Sequence, residues 1–486
     1  MTDPESPLQL PDLDALAGRE LRDLAHRMLD DMLDYTLQIR ERPVWAQMQP
    51  ADRAALHCAP PVAPTDPAQV YDEFRQRILP FAAGNVHPGF MGWVQGGGTA
   101  VGMLAEMLAA GLNANCGGRD HSAIEIELQI VEWLRQWFGF PAGASGLFVT
   151  GTSMANLVAV LVARRAALGA AVRTEGLSRP GRRLIAYTST AAHACIARAM
   201  DFAGLGSENL RLIPVDADQR VSLPHMREAV SADRNAGDVP FLLVGNAGTV
   251  DIGAVDDLTG LADLAAAQHL WFHVDGAFGA LAVLAPEIAP RLTGMERADS
   301  LALDFHKWTQ VPYDAGFVLV RDGKVHRDAF ATSAAYLQRF ERGLAAGEYW
   351  PHDFGPDLSR AFRALKTWFT LRIHGAQRLG EVIAGSCRLA RYLQERVMAE
   401  PRLELLAPVP LNIVCFRYRG ADADALNEAI VADVQESGEA VPSTTRIDGK
   451  LAIRAAIFNH RTRECDVDAL LQAVLRYGDR RAAGRS

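Results

Sequence analysis

From Gly146 to Val320 the chain alternates short apolar runs with stretches of helical period. The runs are GLFVT (146–150), RLIAYT (183–188), LRLIPV (210–215), FLLVGN (241–246), WFHVD (271–275), SLALD (300–304) and GFVLV (316–320). None shows the apolar–polar alternation of a half-exposed sheet, so each predicts a strand buried on both faces. Segments such as NLVAVLVARRAALGA (156–170) and LTGLADLAAAQ (258–268) read as helices between them. Buried strands alternating with helices predict an α/β fold around a mainly parallel sheet, with functional residues at the carboxyl ends of its strands.

Two regions flank this pattern. Residues 13–41 carry Leu, Met and Tyr at three- and four-residue spacing and predict one amphipathic helix. The Pro-rich connector APPVAPTDP (59–67) and a second helix, VYDEFRQRILPFA (70–82), follow it. Two helices joined by such a link cannot bury their apolar stripes alone, so residues 1–86 predict a docking arm. Beyond Ile373 come a helix (GEVIAGSCRLARYLQERV), two strands (LNIVCFRYR and KLAIRAAIF) and a last helix (VDALLQAVLRY). The expected organisation is thus an arm (1–86), a large α/β domain (87–372) and a small α+β domain (373–486).

Composition narrows the function classes. With 49 basic and 58 acidic residues among 486, the net charge of −9 argues against nucleic acid as a partner. No run reaches the ~18 apolar residues of a membrane span, and the acid- and proline-containing start MTDPESPLQL does not read as a signal peptide. The six cysteines are far apart and form neither a disulfide framework nor a metal-site spacing. A cytoplasmic protein without a structural metal is expected.

Four strand ends carry candidate chemistry. Thr152 and Ser153, after the first run, open a helix and serve either as caps or as an anion site, because unpaired N–H groups and the helix dipole converge there. His193 follows the second run, where a histidine is either structural or catalytic. Asp275 ends WFHVD and either caps the next segment or meets a cationic group, since a carboxylate at that depth is costly alone. Lys307 lies between an apolar strand and Trp308; it either snorkels or is buried enough to favour the neutral amine that forms a Schiff base. Together these residues match the needs of pyridoxal 5′-phosphate: a phosphate cradle, a stacking group, a carboxylate for the pyridine nitrogen and an amine for the aldehyde.

The blocks HPGFMGWV (87–94), ELQIVEWL (127–134), HVDGAFGA (273–280), DFHKW (304–308), LSRAFRALKTWFTLRIHG (358–375) and RAAIFNHRT (454–462) make the sequence resemble the group II pyridoxal-phosphate-dependent amino acid decarboxylases. The resemblance implies the pyridoxal-phosphate-dependent transferase-like fold (fold type I) and a homodimer. It casts Lys307 as the Schiff-base lysine, Asp275 as the partner of the ring nitrogen, and Ala277 as the small residue near the ring. His193 becomes the stacking histidine, Thr152 and Ser153 the phosphate turn with His306 and Asp304 nearby, and Thr249 the threonine facing the cofactor. Tyr349 is the expected catalytic tyrosine of the loop before LSRAF.

Departures are Met154, in place of an acidic residue in the phosphate turn, and QGGG (95–98), in place of pocket-lining residues. The activity implied is decarboxylation of an L-amino acid, with an aromatic substrate leading over acidic or diamino ones. An aromatic aldehyde synthase is the alternative outcome, and GTSMA with QGGG also admits a serine hydrolase using Ser153.

Overall fold

The computed structural model describes residues 13, 18–177, 183–332 and 338–483. All seven predicted runs are strands: β1 (Ser145–Val149), β2 (Leu184–Ser189), β3 (Leu210–Ile213), β4 (Val239–Asn246), β5 (Trp271–Asp275), β6 (Ser300–Asp304) and β7 (Gly316–Val320). They form one sheet in the order β1-β7-β6-β5-β4-β2-β3. Neighbours pair in parallel except β7, which is antiparallel to both β1 and β6. The connection from β6 to β7 contains no helix, and without a crossover helix the chain can only turn back antiparallel. The remaining strands share one direction, so β1, β2, β4, β5 and β6 end on the same edge of the sheet.

Helices cover both faces. Thr152–Leu168 buries Ala155, Val158, Ala159 and Val162, and its first turn sits at the functional edge. That turn is reached through Gly151, against which Gly316 packs so closely that a Cβ on Gly316 would run into the Gly151 backbone.

The C-terminal part builds a second, antiparallel sheet in the order β10-β11-β9-β8, from β8 (Leu403–Leu405), β9 (Ile413–Tyr418), β10 (Ser443–Ile447) and β11 (Lys450–Ala456). It has its own core, centred on Val414, Phe416, Ile430, Ile453, Leu470 and Val474. β9 and β11 are the two expected strands; β8, β10 and the helix Ala423–Glu436 were not expected. The long helix Arg363–Ala399 starts well before the predicted one and is interrupted at Gly375, whose φ of 69° breaks the helical path.

The first arm helix runs from Arg19 to Leu37; its predicted start at 14–17, and residues 1–12 of the arm, lie outside the described residues. The second begins at Pro67 behind the Asp66 cap and continues through short turns to Phe81. Tyr71 donating to Asp31 (2.7 Å) joins the two arm helices, and the Arg40–Asp466 pair (2.7 Å) with Val44 N–H donating to the Gly438 carbonyl (2.8 Å) ties the arm to the C-terminal part. Only Leu24 of the first helix is buried, Met28, Leu29, Met32, Leu33 and Tyr35 are half-buried, and Leu37 is 80% exposed, so this chain covers the apolar stripe only in part.

Candidate active site

A cavity of about 530 Å³ opens at the carboxyl edge of the large sheet. Lys307, Asp275, His193, Thr152, Ser153, Ala277, Asp304 and His306 all line it, so eight of the nine residues expected to hold the cofactor meet there.

Lys307 follows β6 directly. Its ammonium lies 2.7 Å from Asp304, whose other oxygen accepts the Thr152 N–H at 2.7 Å. Asp304 is almost fully buried and therefore ties the lysine to the start of the helix Thr152–Leu168. His306 accepts the Ala315 N–H on Nδ1 (3.0 Å) and packs against the Tyr313 ring in a tilted arrangement, with ring centroids 4.2 Å apart. Burial lowers the pKa of His306, and the Asp304 carboxylate opposes that shift. The ring is neutral at pH 7, with its proton on Nε2.

QGGG is explained by packing behind the lysine. Gly96 N–H donates to the His306 carbonyl (3.2 Å), and a Cβ on Gly96 would collide with the His306 and Lys307 carbonyl oxygens. Gly97 N–H donates to the Gln310 side chain at 2.8 Å. The glycines let one backbone lie against another; they do not form an oxyanion loop.

Asp275 ends β5, and its partners are neutral donors. Asn156 Nδ2 donates to Oδ2 (2.9 Å), Ala277 N–H donates to Oδ1 (3.1 Å), and the Cys195 thiol lies 3.8 Å from Oδ2. Burial, reinforced by the Asp275 charge, pushes the Cys195 thiol up to about 12, so it keeps its proton. His193 accepts the Cys195 N–H on Nδ1 at 3.2 Å and presents its ring on the cavity wall.

Two expected residues are elsewhere. Thr249 does not line the cavity: its hydroxyl accepts the Ala254 N–H (3.0 Å) and closes a turn, while the adjacent Val250 occupies the wall. The segment after β4 is a turn rather than a strand, and in it Val250, not Thr249, faces the cavity. Tyr349 is also away from the cavity. Its hydroxyl donates to the Gly146 carbonyl (2.8 Å) and its ring stacks on Phe354 (4.8 Å), so it is a packing residue of the β1 face.

Ser153 lines the wall, but the two wall histidines use Nδ1 for the Ala315 and Cys195 amides. No described histidine is hydrogen-bonded to Ser153, so the nucleophile–base pair of a hydrolase is missing among the described residues.

Arg454 and Tyr313 line the cavity and were not foreseen. Arg454 is buried and donates to the carbonyls of Gly92 (2.7 Å), Val250 (2.6 Å) and Asp251 (3.1 Å). A charged residue inside the apolar run KLAIRAAIF was the available signal, because such a charge is costly unless it is tied down.

The residues present fit pyridoxal 5′-phosphate. Thr152 Oγ1 is buried without a hydrogen-bond partner at the N-terminus of a 17-residue helix, an orphan donor where a phosphate would sit. A carboxylate held by neutral donors and an amine share the same cavity with it.

The comparisons agree. Residues 50–419 match the pyridoxal-dependent decarboxylase conserved domain, and the chain belongs to that family. It is 32% identical over 471 residues to the aromatic-L-amino-acid decarboxylase of Bacillus atrophaeus, covering 95% of each chain. It is 30% identical to the phenylacetaldehyde synthase of Arabidopsis thaliana, covering 92% of this chain and 93% of that one. The structure of Oryza sativa TDC with PLP and tryptamine superposes with a TM-score of 0.88 at 26% identity, covering 98% of this chain and 100% of that one. The protein is a fold type I, pyridoxal-phosphate-dependent carboxy-lyase acting on an amino acid.

Proposed function

We propose that this chain converts an aromatic L-amino acid to its amine and CO₂. The observation that carries the reading is one cavity joining Lys307, Asp275 and the Thr152–Ser153 turn to an apolar wall of Trp93, Val94, Val250 and Phe278. Of the two lining aspartates, Asp304 is paired with Lys307 and Asp275 is reserved in this reading for the cofactor's ring nitrogen, so neither is left to receive a basic substrate side chain.

Bound pyridoxal phosphate supplies an electron sink for the pair left when CO₂ departs. Thr152 and Ser153 hold the phosphate. Asp275 keeps a proton on the ring nitrogen through its charge, which is worth several kcal/mol where charge develops away from water. Lys307 supplies the amine that holds the aldehyde end. His193, on the cavity wall, would face the ring; with Nδ1 occupied by the Cys195 amide, its Nε2 proton would be the one available to the substrate α-carbon.

The test is a screen of L-tryptophan, L-tyrosine, L-phenylalanine, L-glutamate and L-lysine for CO₂, amine, ammonia and peroxide, with Lys307→Ala as control. Amine and CO₂ from an aromatic substrate, lost in the variant, are expected. Ammonia and peroxide release would mark an aldehyde synthase, and turnover of glutamate or lysine alone would overturn the substrate class.

Assembly belongs to the same proposal. Met107, Leu108 and Leu112 (64% exposed) and the partly covered arm helix are apolar surface that a subunit interface would bury. A homodimer burying more than ~2,000 Å² accounts for it, and light scattering that found an active monomer would refute it. The kink at Gly375 and the core of the second sheet support a domain boundary near 372/373; the arm boundary at 86/87 is proposed from the sequence pattern. Six unpaired cysteines support a reducing, cytoplasmic location.

A further inference from the structure

We propose that Asn156, oriented by His273, is the positioning residue that aims the Asp275 carboxylate at the cofactor's ring nitrogen. His273 and Asp275 are two residues apart on β5, so both point to the face crossed by the helix that carries Asn156. The Asn156 amide bridges them: Nδ2 donates to Asp275 Oδ2 (2.9 Å), and Oδ1 lies 2.8 Å from His273 Nε2. Asn156 and His273 are both fully buried, so water cannot substitute for either bond.

The polarity of this chain of bonds is determined. A flipped amide would set its oxygen against the Asp275 carboxylate, so Nδ2 must face Asp275 and Oδ1 must face the histidine. His273 Nε2 must then carry a proton. Burial lowers the pKa of His273 to about 4, so the ring is neutral and Nδ1 is an acceptor. Ser300 Oγ is 2.9 Å from Nδ1 and itself accepts the Trp271 indole N–H at 2.8 Å. The Ser300 carbonyl, 3.2 Å from Nδ1, would suit the opposite tautomer, but that tautomer sets two acceptors 2.8 Å apart at Asn156.

Donation therefore runs from Trp271 through Ser300, His273 and Asn156 to Asp275. The carboxylate can rotate only by breaking a bond in a dry interior, where an unmade hydrogen bond is costly. Unlike a lysine or arginine partner, the neutral amide fixes Asp275 without neutralising it. Its charge is left for a protonated ring nitrogen.

The inference rests on Asp275 being that nitrogen's partner, so Asp275→Asn is measured alongside. The variants are His273→Leu, His273→Gln and Asn156→Leu, with Asn156→Ser as the smaller change should a leucine not fold. The readouts are the rate at which diluted holoenzyme loses its cofactor, and kcat and KM separately. His273→Leu and either Asn156 variant should lose cofactor about tenfold faster or more and lower kcat with little change in KM. His273→Gln, which keeps an N–H near Nε2, should recover most of the loss. Combining His273→Leu with the Asn156 change should add little, because both act through one bond.

Wild-type retention in the folded variants, or equal effects of His273→Gln and His273→Leu, would overturn the proposal while Asp275→Asn remained impaired. Wild-type behaviour of Asp275→Asn would instead overturn the reading of Asp275 itself.

Discussion

His326 should make the protein lose stability steadily as the pH falls below 6.5. It sits on the helix Gly323–Phe330, fully buried, with Nδ1 2.8 Å from Ser145 Oγ and its ring edge-on to Phe354 at 5.2 Å. Burial lowers its pKa from 6.5 to about 3. The unfolded chain takes up this proton near pH 6.5, whereas the folded chain does so only near pH 3. The contribution is therefore complete above pH 6.5, falls as the pH drops, and levels off near pH 3.

Each pH unit in that window costs about 1.4 kcal/mol per proton, so the fall to pH 4.5 removes about 2 to 3 kcal/mol. That is a large part of the 5–15 kcal/mol typical of a folded domain. His326→Gln does not titrate, yet keeps a polar partner for Ser145. Urea midpoints by tryptophan fluorescence at pH 7.5, 6.5, 5.5 and 4.5 give the gap between wild type and variant, and groups common to both cancel. The variant should be the less stable at pH 7.5, and the gap should close by about 2 to 3 kcal/mol at pH 4.5. A gap that stays constant with pH would refute the reasoning.

Other substitutions test the site and its frame. Asp275→Asn should reduce turnover by about 100-fold or more without unfolding the chain; turnover within about tenfold of wild type would contradict its role. Arg360→Met should cost about 3–5 kcal/mol in urea denaturation, because it strands the buried Glu127 that Arg360 holds at 2.6 and 3.1 Å. Adding Glu127→Leu should restore at least half of that loss, and a strictly additive double variant would refute the account. Tyr349→Phe should lose about 1 kcal/mol of stability with its bond to Gly146. Turnover per folded molecule should stay within about twofold, and a collapse of turnover would return Tyr349 to the catalytic machinery.

The large sheet was legible because its strands are buried on both faces and read as unbroken apolar runs. Their ends fell within two residues of the observed bounds. β8 has three residues and β10 reads STTRI, exposing its central side chains, so neither leaves an apolar signature. That the residues at strand ends would meet in one cavity was legible for the same reason as the strands. Thr249 and Tyr349 were not, because both lie on irregular segments where linear order does not say which way a side chain faces. Asn156 carries its own signal in the sequence: it is a lone amide within the apolar run MANLVAVLVA. An amide in that position has to find partners, and it found Asp275 and His273.

The cavity wall holds two charges that the protein leaves to others. Asp275 is met by an amide, a backbone N–H and a thiol, and Arg454 by three carbonyls and the Ser443 hydroxyl at 3.3 Å. Burial lowers the pKa of Arg454, and the nearby Asp251 carboxylate, which is hydrogen-bonded to Thr445 rather than to the guanidinium, only partly opposes that shift. Buried charges served only by neutral groups are unfavourable for folding, and direct ion pairing would have been the stabilising choice. Neutral partners hold each group's direction while leaving its charge uncancelled. Such a site would suit a reaction whose participants arrive charged: in the proposed reading a protonated ring nitrogen would meet Asp275, and a substrate carboxylate would be drawn by Arg454 on the same wall. The carboxylate must be held loosely enough to leave as CO₂, and a guanidinium already shared among three backbone carbonyls meets that condition better than a free one.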